Sequence, residues 1–77
     1  MFSKEKFGAR LLEARKRSNE TQTDLANCIE TTKSHVSEME NGKKTTTAEK
    51  IALICEHYNI SSDYLLGLTD DPEPKGQ

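Results

Sequence analysis

The sequence contains no tryptophan, two prolines, two cysteines and no run of apolar residues of membrane length. A bilayer-spanning helix needs about 20 such residues, so a membrane span is not expected. The opening Met1-Phe2-Ser3-Lys4 carries no apolar stretch of the kind a secretory leader uses. Cys28 and Cys55 are too few to staple a small secreted domain, and the expected setting is the reducing cytoplasm. There is no glycine-rich phosphate loop. Cys28, His35, Cys55 and His57 lack metal-site spacing, and Cys55 and His57, two apart on one helix, face different ways. No nucleophile, base and orienter cluster is evident along the chain. An enzyme is therefore not expected, and neither a cofactor nor a metal.

What is present is a small helical pattern. Hydrophobic residues make up 32% and charged residues 31% of 77 positions, enough for one domain with one modest core. A chain of this size buries only about 60% of its unfolded surface, so idealised helices or a second copy must supply the rest. Phe7, Leu11 and Ala14 share one face of a first helix from about Ser3 to Ser18, and Asn19 suits a left-handed stop. Thr21 to Asp24 reads as an N-cap with an acid three residues on, opening a short helix that carries Leu25, Ala26 and Ile29. Thr32 caps a third helix, Lys33 to Glu40, with Val36 and Met39 inward and Asn41-Gly42 as its stop. Thr46-Thr47-Ala48-Glu49 reads as a capping box for a fourth helix, whose stripe is Ile51, Ile54, Cys55 and Tyr58. Asn59 closes that helix and Ile60 turns inward. Ser61 caps a last turn through Leu66, stopped by Gly67. The predicted domain is residues 1–69, and 70–77 form an acidic, proline-containing tail or linker. Leu25, Ala26, Ile29, Val36, Met39, Ile51, Ile54, Cys55, Ile60 and Leu65 are the expected core.

The net charge of −2 is unevenly spread. Residues 1–17 hold six bases against two acids, and residues 45–77 hold two bases against six acids. A basic front and an acidic back polarise the molecule and can orient it toward a polyanion. The second and third helices, joined by a turn of three to four residues, have the connection that sets one helix steeply across another.

On the stretches FGARLLEARK, QTDLA, TTKSHVSEMENGKK and IALICEHYNISSDYLLGL, the chain from Phe7 to Gly67 resembles the Cro/repressor-type helix-turn-helix family, also called the XRE family. The resemblance implies an all-α, compact, five-helix lambda-repressor-like domain. It implies sequence-specific binding of double-stranded DNA by a dimeric transcription regulator, expected to be a repressor that reads an inverted repeat. The helix from Lys33 to Glu40 suits the major groove, because only Val36 and Met39 are needed inside. Its outward residues Lys33, Ser34, His35, Ser37 and Glu38 are the candidates for base contact. Lys33 can approach guanine O6 and N7 or fall back on a phosphate. His35 can meet a base, a phosphate or only solvent. Glu38 can accept from cytosine N4 or repel phosphates and so reject wrong sequences. Gln22, flanked by Thr21 and Thr23, matches the family's backbone contact and its brace for the recognition helix. Asn41, Lys43 and Lys44 match the loop that tracks the backbone.

The resemblance also implies an internal ion pair between Arg15 and Glu40, and a homodimer formed through Tyr64, Leu65, Leu66 and Leu68. Three departures stand out. Glu20 occupies a position that is usually hydrophobic. Glu30 stands where the turn usually has glycine, which predicts a remodelled turn or a longer second helix. Thr45, Thr46 and Thr47 replace a segment that is often basic or proline-containing, which weakens the expected phosphate clamp. The alternative function is a protein-interaction module that keeps this fold, antitoxin-like or antirepressor-like, with little or no DNA binding.

Overall fold

A computed structural model describes residues 2–74. Met1 and residues 75–77 of the expected tail lie outside the described residues. In chain order the elements are α1 (Lys4–Arg17), α2 (Gln22–Cys28), α3 (Lys33–Glu40), α4 (Ala48–Tyr58) and α5 (Ser62–Leu65), with no strand among the described residues.

All five helices begin and end by the same two devices. Ser3, Thr21, Thr32, Thr47 and Ser61 each place a hydroxyl oxygen where it accepts a first-turn backbone N–H. That satisfies donors which have no partner inside the helix. At Thr21 the cap is a full capping box, because the Asp24 carboxylate accepts the Thr21 N–H in return (2.9 Å). At α4 the expected box does not form. The cap is Thr47 rather than Thr46, so the third helical position falls on Lys50, which has no carboxylate to return.

Each helix is then stopped by one left-handed residue: Asn19, Glu30, Gly42, Asn59 and Gly67, with φ of 57°, 58°, 75°, 55° and 84°. The next N–H turns back onto the carbonyl five residues earlier, from Glu20 to Arg15, Thr31 to Ala26, Lys43 to Glu38, Ile60 to Cys55 and Leu68 to Asp63. This pattern ties down carbonyls that a helix end leaves free.

Glu30 corrects the sequence expectation. The turn between α2 and α3 is neither remodelled nor lengthened, and the glutamate adopts the left-handed conformation itself. The Lys50 ammonium donates to the carbonyls of Ile29 (2.9 Å) and Glu30 (3.1 Å), fixing the two peptides that the turn exposes.

The core draws on every helix. Phe7 and Leu11 of α1, Leu25, Ala26 and Ile29 around α2, Val36 and Met39 of α3, Ile54 of α4 and Leu65 of α5 form one buried cluster. Ile51, Leu53, Cys55, Tyr58 and Ile60 are half-buried against it. Fully burying one such aliphatic or aromatic side chain is worth about 1.5–3 kcal/mol. Helix α1 packs on α3 and α5, and α2 packs on α3 and α4. The α1–α3 crossing is very close at Gly8, where an added Cβ would stand 2.2 Å from the Met39 carbonyl oxygen.

The first residues of the expected linker pack against the body. Arg10 lies over the Tyr64 ring (4.1 Å) and donates to the carbonyls of Tyr64 and Thr69 (2.7 Å to Thr69) and to Asp70 (2.7 Å). The Ser61 N–H donates to the Pro72 carbonyl (2.9 Å).

Candidate nucleic-acid interface

Two buried side chains anchor α3 and leave its opposite flank to solvent. Val36 and Met39 have no exposed surface. Lys33 and Ser34 are exposed, and His35, Ser37 and Glu38 are partly exposed. The short turn from α2 to α3, held by Lys50, brings the start of α2 beside this flank. One open depression is lined by Gln22, Lys33, Ser34, Ser37 and Glu38. Four of the five base-contact candidates thus share one surface with Gln22. His35 does not line it.

The orientation of α3 is fixed at its far end. Arg15 of α1 grips Glu40 with two donors, Nε to Oε2 at 2.6 Å and Nη2 to Oε1 at 3.1 Å. The side chains are 11% and 4% exposed, so this pair is largely removed from water. The hydrogen bond to Glu40 raises the Arg15 pKa, and its charge is permanent at any accessible pH. Gln22 donates its amide N–H to the same Glu40 Oε1 (3.0 Å), so one carboxylate joins α1, α2 and α3. The expected Arg15–Glu40 pair is present in the structure, and Gln22 braces α3 through it.

The loop after α3 is equally organised. The N–H groups of Lys43 and Lys44 both point at the Glu38 carbonyl (3.0 and 3.4 Å), and Asn41 donates to Ser37 Oγ (3.4 Å). Lys44 Nζ lies 3.8 Å from Glu38 Oε1, so Glu38 sits beside a cation instead of standing as an isolated negative charge. Lys43, Asn41, Thr21 and Thr23 are exposed around the rim. The capping hydrogen bonds from Thr21, backbone first, hold the Asp24 carboxyl below its ordinary pKa.

The expected dimer residues separate into different environments. Leu65 has no exposed surface and belongs to the protomer's own core, which removes it from any interface. Tyr64 is occupied within the chain, its ring under Arg10 and its hydroxyl donating to Glu13 (3.1 Å). Burial, followed by that carboxylate, pushes the Tyr64 pKa up. Leu66 lines a groove between α4 and α5 together with Ile51, Ala52, Cys55 and Ile60. Leu68 is 69% exposed.

The fold also assembles a cluster that sequence spacing concealed. Cys28 Sγ lies 3.6 Å from His57 Nε2, and the same nitrogen lies 2.7 Å from Glu20 Oε2. Tyr58 donates to Glu20 Oε1 (2.7 Å). Burial and that carboxylate push the Tyr58 pKa far up. A nucleophile, a base and an orienter are therefore adjacent after all. They do not form a relay, which needs thiol and carboxylate on opposite ring nitrogens. The only prior signal was Glu20 standing where a hydrophobic residue is usual. Among the described residues no helix is long and apolar enough to cross a membrane.

The comparisons with known proteins agree with this geometry. A family model described as a helix-turn-helix domain matches residues 8–70. The chain belongs to the helix-turn-helix family, and its fold is that of the Cro/repressor-type regulators. It is 39% identical over 66 residues to the uncharacterized HTH-type transcriptional regulator YobD of Bacillus subtilis (strain 168), covering 86% of this chain and 59% of that protein. The chain thus spans little more than half of that relative. Among solved structures it is similar to ClgR, the clp gene regulator of Corynebacterium glutamicum (TM-score 0.74, 28% identity, 82% of this chain and 67% of that one). It is similar to the restriction-modification controller protein C.AhdI of Aeromonas hydrophila (TM-score 0.72, 27% identity, 80% and 94%). The P22 c2 repressor, solved with a synthetic operator, shares the fold at 23% identity (TM-score 0.75, 78% and 91%).

Proposed function

We propose that this chain is the DNA-reading part of a cytoplasmic transcription regulator, and that it binds double-stranded DNA sequence-specifically with α3 in the major groove. The observation that carries the reading is the open polar flank of α3, which forms one depression with Gln22. Lys33 and Ser34 supply base-edge contacts at the start of α3, with Ser37 and Glu38 one turn on and His35 at the edge. Gln22, Thr21, Thr23, Asn41, Lys43 and Lys44 supply contacts to the phosphate backbone. Glu38 beside Lys44 can accept from cytosine N4 without presenting an unbalanced charge to the phosphates.

A homodimer that pairs through Leu66 and Leu68, with Tyr64 at its margin, reads an inverted repeat with half-sites about one helical turn apart. Occupying such a site over a promoter represses transcription. In vitro selection from random duplexes tests the reading. It should return an inverted repeat, bound with an affinity that falls steeply as salt rises. Absence of any enriched sequence or low-salt binding, with a protein partner recovered instead, would replace this reading by that of a protein-interaction module.

A further inference from the structure

We propose that Cys28 is a site of oxidation by small neutral hydroperoxides, with His57 assisting the reaction and Glu20 holding His57 in position. Cys28 is the last residue of α2 and is exposed, so an oxidant reaches its sulfur directly. The His57 nitrogen at 3.6 Å belongs to α4, and Glu20, in the link between α1 and α2, holds it at 2.7 Å. The second Glu20 oxygen is occupied by the Tyr58 hydroxyl, whose ring also packs against the imidazole with centroids 4.7 Å apart. That contact helps hold the carboxylate in place, and Nε2 lies between a carboxylate oxygen and the sulfur.

That placement suits one reaction. The thiol loses its proton to water, and the thiolate is the nucleophilic form. The sulfur attacks the terminal oxygen of the hydroperoxide. An S–O bond forms, the O–O bond breaks, and the departing alkoxide takes a proton from water while the His57 ring nitrogen hydrogen-bonds to it as it leaves. Cys28 becomes a sulfenic acid and the hydroperoxide an alcohol, with two electrons passing from sulfur to the peroxide. Glu20 and, one helical turn before Cys28, Asp24 make the surroundings acidic. An anionic disulfide is repelled there and a neutral hydroperoxide is not.

The new oxygen competes with Glu20 for the His57 proton. The Glu20 carbonyl accepts from Arg15 Nη1 (2.7 Å), and Arg15 holds Glu40 and, through it, Gln22. Oxidation at the end of α2 thereby reaches the depression on α3. Only this last step rests on the DNA-binding reading.

The test treats the full chain with hydrogen peroxide, traps sulfenic acid with dimedone and follows each cysteine by peptide mass spectrometry. Cys28 should label at least about a hundredfold faster in the folded chain than in the urea-unfolded chain, the low end of what a hydrogen-bond donor placed at a developing oxyanion contributes. Exposure alone gives equal rates, so equality overturns the proposal without recourse to any variant. Cys55, half-buried with its thiol pKa pushed up by burial, should label more slowly when folded. His57→Ala, with its fold checked by circular dichroism, should bring Cys28 down to the unfolded rate, and an undiminished rate also overturns the proposal. A selected duplex should bind the oxidised chain about fivefold or more weakly. Rapid oxidation with unchanged duplex affinity refutes the relay to α3 and leaves the thiol chemistry standing.

Discussion

The Lys50 ammonium donates to the Glu30 carbonyl at 3.1 Å, across the turn on which the α2–α3 angle depends. Glu30 has φ of 58°, a conformation that costs a residue with a Cβ about 1–2 kcal/mol. Lysine and glutamate therefore act in opposite directions on one peptide. Glu30→Gly should raise stability by about 0.5–1 kcal/mol, the strain relief less the entropy that glycine loses on folding. Lys50→Met should lower stability by about 1–3 kcal/mol, because two carbonyls lose a charged donor. Urea unfolding of the two variants checks both signs, and a destabilised Glu30→Gly would refute the strain argument.

Gly8 sets how near α1 can approach α3. A Cβ there would stand 2.2 Å from the Met39 oxygen and 2.9 Å from the Glu40 oxygen, both backbone atoms with little freedom to retreat. Gly8→Ala should cost about 3 kcal/mol, at the upper end for overpacking. The helix propensity of alanine works the other way by about 1 kcal/mol, so a net gain in Tm would show that the crossing is looser than this contact implies.

The buried Arg15–Glu40 pair specifies geometry more than it adds net stability. Glu40→Ala leaves a buried guanidinium without its carboxylate and should cost about 3–5 kcal/mol. Replacing both partners, as Arg15→Met with Glu40→Leu, should recover most of that loss, because no charge is then left buried. The double variant should bind DNA less well than its stability suggests, since Gln22 has lost the Glu40 oxygen that positions it. Unfolding curves and duplex titrations on the same samples separate the two effects.

Lys33 and Gln22 should fail differently. Lys33→Ala should weaken duplex binding and, where the lysine reads a base, relax preference at one position by about 1–3 kcal/mol. Gln22→Ala should weaken all duplexes alike, because a backbone contact carries no sequence information. Parallel selections with both variants decide the matter, and an unchanged affinity in both would disprove the contact assignment.

The helices and their stops were legible because each rests on local chemistry. A hydroxyl three residues ahead of an N–H, or an asparagine or glycine after an apolar face, can be read without knowing the fold. The open α3 flank was legible from the spacing of Val36 and Met39, and the Arg15–Glu40 pair through resemblance. Glu30 misled because propensity favours glycine at a left-handed site, while the compensating Lys50 lies 20 residues away. The Cys28–His57–Glu20 cluster joins three elements separated by 29 and 37 residues, and no periodicity encodes such a meeting. Leu65 was doubly assigned, to core and to interface. A single short helix with several leucines cannot reveal which of them turns inward until α1 and α4 are placed against it.

The α2 cap should give the domain an acid-sensitive edge. Hydrogen bonds at Thr21, above all from its backbone N–H, hold the Asp24 pKa below its ordinary value of about 3.9. A carboxyl whose folded pKa lies below its unfolded one contributes stability that is fully present above the unfolded value. That contribution is lost as the pH falls through the folded one. Asp24→Asn keeps an acceptor oxygen but removes the titration. Thermal unfolding from about pH 6 down to about pH 2 should therefore show the two proteins converging as acid is added, with the native chain more stable only at the upper end. If the difference in Tm between them held constant across that range, the carboxylate at the start of α2 would have no part in the acid response.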